Sequence, residues 1–384
     1  MVTIAFFNQD FLMQREIISA LRQTNGVRLI VVSIPDIPNP EQANQACDAL
    51  FQQHCTMLFT VNDWGLDDKG IIRDFCISRS ILHCNWCADD PFYHHVFHGS
   101  GFKPVSNRID FVTDRSYVGQ LRRLGFNAHF CPLATDPALF FPLQNISIKR
   151  TACFVGNSYN RQIDGFTKGN EQFVDAMIPF VSSVLLEYQT DQTIDLSQRI
   201  ANHFVFSPPP SYLSIEKAVF IVKHIVSYFH RKRLIISLCK QYPDFMIFGD
   251  EWWLVDCERE RISTAVGYYV NLNLTYQETK INIDVNRVVI REGLTQRVFD
   301  CLAAGAFVIT SQKPIVGEFF ETSGGSAEVL MFENERHLRE LIDYYAVHDE
   351  ERLAIAKRGR ARALSQHTYA HRIAEIFSKI GQEL

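Results

Sequence analysis

The sequence predicts an α/β protein built as two doubly wound domains, and three observations carry that expectation. Over the first 140 residues, short apolar runs alternate with amphipathic stretches, the pattern of βαβ units around a parallel sheet. A stretch with three prolines and no sustained periodicity, Pro132 to Lys149, then interrupts the pattern, and a second alternation follows it. The chain has 384 residues, more than one hydrophobic core usually serves.

In the first domain, set at residues 1–140, strands are expected at Thr3–Phe7, Val27–Val32, Met57–Val61, Ile81–Asn85, Ile109–Thr113 and Ala128–Pro132. Helices are expected over Phe11–Gln23, Pro40–Gln53 and Ser116–Leu124, the last closed by Gly125. Sheets of this kind bind ligands beyond the carboxyl ends of their strands, so the loops after Phe7, Val61 and Asn85 are where function is expected. Pro132–Lys149 reads as the linker. The second domain, residues 141–366, opens with a strand at Ala152–Val155 that runs into Gly156-Asn157-Ser158. A helical stretch from Glu171 to about Tyr242 is broken at Ser207-Pro208-Pro209-Pro210, because successive prolines cannot sit in a helix interior. It reads as an insertion over about residues 165–243. Further strands are expected at Phe245–Phe248, ending at Gly249, and at Tyr268–Leu272, Lys280–Val285 and Phe307–Thr310, with a helix over Gln296–Ala304. Three helices close the chain, over Glu335–His348, Glu350–Gln366 and Thr368–Ile380, and residues 367–384 are expected to return to the first domain.

Composition excludes several classes of function. A net charge of −5 and a pI near 6.2 do not supply the clustered cation excess that nucleic-acid phosphates demand. Nucleic acid is not an expected partner. No apolar run reaches membrane-spanning length, and Met1 to Asn8 enters a strand pattern without the features of a signal peptide. Ten cysteines without a framework fit reduced thiols, so the expected location is the cytoplasm. The run His230-Arg231-Lys232-Arg233 reads as a solvated helix face, with peripheral contact to anionic lipid as the alternative.

The most informative segment runs from Arg291 to Gly305 and reads as a loop entering a helix. Gly293 lets the backbone approach a ligand, and the amides of Leu294, Thr295 and Gln296 would be donors of a helix N-terminus, a ready site for a diphosphate. Asp300, a turn further on, is placed to reach ribose hydroxyls. Gly156, Asn157 and Ser158 form a second candidate cradle for phosphate, with Arg161 as a cation for it. Arg297 has two readings, a ligand cation or the partner of an acid on the helix surface.

Glu292 and Asp300, followed by Leu302-Ala303-Ala304-Gly305, resemble the acidic pair of retaining GT-B glycosyltransferases. Gly293 to Asp300 is most similar to the CgeB-like branch. Phe154-Val155-Gly156-Asn157-Ser158, Lys280-Ile281-Asn282-Ile283 and His367-Thr368-Tyr369 with His371-Arg372 resemble further pieces of that branch, in the same order. Asp89-Asp90-Pro91-Phe92 and Pro132 to Pro137 do so in the first domain. The resemblance implies the GT-B fold, two Rossmann-like domains with a cleft between them. It implies transfer of a hexosyl or N-acetylhexosaminyl group, with retention, from a nucleotide diphosphate sugar to a protein or glycan acceptor. A UDP-sugar is the first candidate for the donor, and no cofactor or metal is expected. Glu292 would meet the sugar and Asp300 the ribose, while Gly249, Lys280, Arg161 and Arg297 complete the donor side and Asp89 or Asp90 serves the acceptor or the reacting sugar. Two departures stand out: Asp300 replaces the usual Glu, and Asn8-Gln9-Asp10 lacks the glycine pair common near the acceptor.

Other readings compete. Asp89 and Asp90 also suit solvated loop acids or helix caps. Cys84, Cys87, His94 and His98 have metal-like spacings, but a buried-strand pattern at Cys84 and the short loop between the pairs favour a structural role. At the level of function, a nucleotide-sugar epimerase or hydrolase, or a non-catalytic surface-assembly protein, are the alternatives to a transferase.

Overall fold

The computed structural model describes residues 2–11, 13–93, 103–192, 194–264 and 266–383. They divide into two compact units, Met1–Thr135 with His367–Leu384, and Asp136–Gln366. Each unit is built on a six-stranded, wholly parallel sheet, which establishes the α/β class that the alternating pattern predicts.

In the first unit the strands are β1 (Val2–Asn8), β2 (Val27–Ser33), β3 (Met57–Val61), β4 (Leu82–Cys87), β5 (Arg108–Val112) and β6 (Ala128–Phe130). Their order is β2-β1-β3-β4-β5-β6. The helices are α1 (Gln14–Arg22), α2 (Pro40–Gln52), α3 (Ile71–Ser78) and α4 (Ser116–Arg123). The sequence reading passed over α3, whose start is set by the Asp67 carboxylate accepting from the amides of Ile71 (2.8 Å) and Ile72 (2.9 Å). The chain's last helix, α14 (Tyr369–Glu383), inserts Tyr369, Ile373, Ile376 and Ile380 into the core beside Phe6, Phe59 and Trp86.

The second unit places β7 (Arg150–Val155), β8 (Met246–Phe248), β9 (Ile262–Ser263), β10 (Thr279–Asp284), β11 (Val308–Ser311) and β12 (Leu330–Phe332) in the order β12-β11-β10-β7-β8-β9. The order reverses between β7 and β10, so the crevice past their carboxyl ends is the position where such sheets bind ligands. Helices α5 (Asn160–Thr167), α6 (Glu171–Thr190), α7 (Leu196–Phe206) and α8 (Ile215–Gln241) follow β7. The proline run lies between α7 and α8. Then come α9 (Leu272–Gln277), α10 (Gln296–Ala303), α11 (Pro314–Phe319), α12 (Glu335–Val347) and α13 (Asp349–Gln366).

The 27-residue α8 belongs to two cores. Its first half packs Ala218, Ile221, Val222, Ile225 and Val226 among α6 and α7, and its second half packs Leu234, Ile235, Leu238 and Cys239 against the sheet. Two expectations need correction. Tyr268–Leu272 is a turn entering α9, not a strand: Asn271 accepts the Gly267 amide through its side chain (2.9 Å) and returns its own amide to the Gly267 carbonyl (3.2 Å). Local Asn chemistry outweighs the apolar pattern there. The Pro132–Lys149 stretch has no helix or strand, yet Phe140 is buried against Tyr268 and Tyr276, so from Asp136 onward it packs with the second unit.

Candidate functional site

The residues that meet at the switch point of the second sheet come from β7, α8, β10, α10 and β11. Asp284, the last residue of β10, is fully buried. It accepts from the hydroxyls of Thr295 (2.8 Å) and Thr310 (2.7 Å) and pairs with Arg297. The second reading of Arg297 is thus partly right, although its acid lies on a strand and not on its own helix. The same guanidinium rests on the Phe154 ring, 5.0 Å from its centroid. A side chain at Gly156 would come within 2.9 Å of Arg297 Nη2, which explains the glycine by contact alone.

Thr295 occupies the cap position of α10 but makes no side-chain cap, because its hydroxyl is given to Asp284. The first amides of α10 are left to a ligand or solvent, and the helix dipole favours an anion there. Leu294 and Gly293 are buried beneath that end, and Glu292 beside them is half-buried. Arg291 anchors the loop to the helical layer through Asp195, the cap of α7, at 2.7 Å.

Sequence reasoning missed Asp284, Asn286, Arg287 and Lys313, and above all Arg231. It lies in the run read as a solvated face, yet it is 5% exposed, and its guanidinium reaches the carbonyls of Val285 (3.1 Å) and Asn157 (3.4 Å). The run divides by helical angle: Lys232 pairs with Asp256 (2.7 Å) and Arg233 is exposed. Tyr159 offers its ring to Arg231 at 5.1 Å and to Arg287 at 5.4 Å. Burial, with the like charges of Arg297 and Arg287, holds Arg231 down at about 10, against the opposing pull of Tyr159 and Asp284. Burial of His230, with Arg231, Lys313 and Arg233 near it, holds that imidazole neutral at about 4. Lys313 is buried just past β11. Asn286, 2% exposed, has both side-chain polar atoms buried without a hydrogen-bond partner. Arg231, Arg287, Arg297 and Lys313 therefore converge with Asn286 on one end of the sheet, where a buried anion would satisfy charge and hydrogen bonding together.

Other predicted donor residues fall differently. The amide of Ser158 donates to both oxygens of Asp250 (3.2 and 3.1 Å) and that of Gly156 to Phe248 O (2.8 Å), so these two amides serve the fold and not a phosphate. Asn157 and Arg161 are exposed, Arg161 on the first turn of α5. Gly249 is required because a Cβ there would sit 2.3 Å from the Gly156 carbonyl. Lys280 is near the amino end of β10, the wrong end, where its Nζ donates to Ala346 O (2.8 Å) and Asp349 (3.2 Å). Asp300 is 1% exposed, with Tyr268 Oη donating to its Oδ2 at 3.1 Å.

In the first unit, Asn62 follows β3 in a left-handed conformation and holds the Asp89 loop. Its side chain accepts from the amides of Ala88 (2.7 Å) and Asp89 (3.2 Å) and donates to the Asp89 carboxylate (3.0 Å). Asp90 instead accepts the Phe92 amide at 3.0 Å, as a turn cap does. Behind them runs a buried chain of bonds, His83 to Thr60 (2.8 Å), Thr60 to Asn85 (3.1 Å), Asn85 to Asp110 (3.0 Å), and Arg108 between Asp110 (2.5 Å) and Asp63 (2.9 Å). Cys84 and Cys87 are buried, with thiols pushed well up by burial. His94 and His98 lie outside the described residues. Among the described residues no group of three or more His, Cys, Asp or Glu side chains is placed to hold a metal, and no helix is long and apolar enough to cross a membrane.

Two six-stranded parallel sheets in one chain, the second with a cluster of cations at its switch point, give the fold of the GT-B glycosyltransferases. The structure of HepE from Anabaena in complex with UDP-glucose is similar over 100% of this chain and 100% of its own, with a TM-score of 0.57 at 8% identity. Sucrose-phosphate synthase from Thermosynechococcus elongatus is similar over the same shares, with a TM-score of 0.53 at 10% identity. Within the second unit and the last helix, residues 231–378 match the model of the glycosyl transferase-like family. None of the curated proteins matches the chain in sequence.

Proposed function

We propose that this protein transfers a sugar from a nucleoside diphosphate sugar, UDP-linked as the first candidate, to a protein or glycan acceptor. It acts as a retaining, metal-independent glycosyltransferase of the CgeB-like branch in the cytoplasm. The observation that carries the proposal is the convergence of Arg231, Arg287, Arg297 and Lys313 on the switch-point end of the second sheet, with Arg297 on the first turn of α10. Departure of a nucleoside diphosphate builds negative charge on its terminal phosphate, and fixed cations and amides in a water-poor site stabilise that charge without reorganising. The fold and the family match support the same class, and HepE is a protein of this fold seen with UDP-glucose and with UDP and glucose.

Glu292 holds the reacting sugar in this mechanism, and Asp89, steadied by Asn62, serves the acceptor side. The test is a calorimetric panel of UDP, GDP and ADP, followed by turnover of the matching sugar donors with and without EDTA. Binding of one diphosphate and turnover that survives EDTA are expected. Absence of binding across the panel, or turnover that only a divalent ion restores, overturns the proposal.

A further inference from the structure

The acid expected to meet the ribose is not presented to a ligand. Asp300 is 1% exposed, and an aspartate reaches one methylene less far than the glutamate usual at that place. Tyr268 stands in front of it. Its phenol oxygen donates to Asp300 Oδ2 at 3.1 Å and accepts from Gln296 Nε2, so the hydroxyl is held between two residues on one face of α10. The ring is fixed edge-on to Phe140 (centroids 5.4 Å apart) and to Tyr269 (4.8 Å), and the residue is half-exposed.

We propose that Tyr268 Oη, and not the Asp300 carboxylate, is the group that meets a ribose hydroxyl of the nucleotide, with Asp300 and Gln296 as positioning residues behind it. This rests on the donor assignment above. The chemistry follows from the bonds: a phenol that donates its proton to a carboxylate gains electron density on oxygen and accepts more strongly from a third group. A ribose hydroxyl is such a donor. The tyrosine thereby restores the reach that the shorter acid loses, and a site built to bond a hydroxyl discriminates against the ligand that lacks it.

The experiment measures, by calorimetry on the full chain, the affinity of the nucleoside diphosphate chosen from UDP, GDP and ADP and of its 2′-deoxy and 3′-deoxy forms. Wild type is expected to prefer the ribonucleotide over one deoxy form by about tenfold, and Tyr268→Phe to bind the ribonucleotide about tenfold more weakly with that preference abolished. Gln296→Leu, which leaves the Asp300 bond in place, is expected to lose part of the preference. If Tyr268→Phe keeps wild-type affinity and preference, or binds more tightly while Asp300→Asn loses both, Asp300 meets the ribose directly and the inference is overturned. If wild type binds none of the three diphosphates, the donor assignment itself falls, a result distinct from the first.

Discussion

Arg231→Met separates what the cationic pocket costs the fold from what it gives a ligand. The drop of Arg231 from the ordinary arginine range to about 10 corresponds to about 3 kcal/mol against its charged form. Removing the charge recovers that, while the lost bonds to the Val285 and Asn157 carbonyls forfeit about 1 kcal/mol each, or somewhat more for a carbonyl left buried. The opposing amounts nearly cancel. The variant is therefore expected to unfold in urea within about 1 kcal/mol of wild type, because the methionine fills the same space against Phe154 and Tyr159. Nucleoside diphosphate binding behaves otherwise, since a hydrogen bond to a charged group is worth about 1.5 to 3 kcal/mol, or about 10- to 150-fold in affinity. Calorimetry at two salt concentrations, beside ligand-free urea unfolding, reads both quantities. A folded variant that binds the diphosphate as tightly as wild type refutes the assignment of Arg231 to the anion site.

Two further outcomes are expected. Glu292→Gln lowers donor turnover by about tenfold or more and leaves affinity for the free diphosphate within about twofold, because the lost contact is to the reacting sugar; a matching loss in both places Glu292 elsewhere. The His83 imidazole is held down at about 3 by burial and then by Arg108, so between its unfolded value and that level the unfolded chain binds a proton that the folded one does not. Stability falls with pH in that window, by about 2 kcal/mol between about pH 7.5 and about pH 5 from this residue alone. His83→Gln is expected to show that much less acid loss in urea titrations, and equal losses in both proteins contradict the burial argument.

What was legible in the sequence followed local periodicity and turn chemistry. The parallel strands, the α10 segment, the proline break before α8 and the terminal helices all write their own pattern. Misreadings arose where a distant partner decides. Ser158 resembles a phosphate loop until Asp250, far along the chain, takes its amide. Arg231 sits among charged neighbours that look solvated, and only the packing of α8 on two cores turns it inward. Lys280 belongs to a motif that resembles a donor-binding family, but strand direction carries it to the opposite end from Asp284. Tyr268 carried no signal, since its value lies in a bond to a residue of α10.

The double membership of α8 makes the helical layer part of the machine and not an ornament on it. At about 1.5 Å per residue, the helix is a rod of about 40 Å, clamped at one end among α6 and α7 and at the other against the sheet, with Arg231 between the clamps. A rod clamped at both ends transmits displacement. Ile221 and Ile225, packed among α6 and α7, thus help to set where α8 holds the Arg231 guanidinium against the Val285 and Asn157 carbonyls. Excising α8 together with the layer would remove Arg231 and its bonds to the Val285 and Asn157 carbonyls from that end of the sheet.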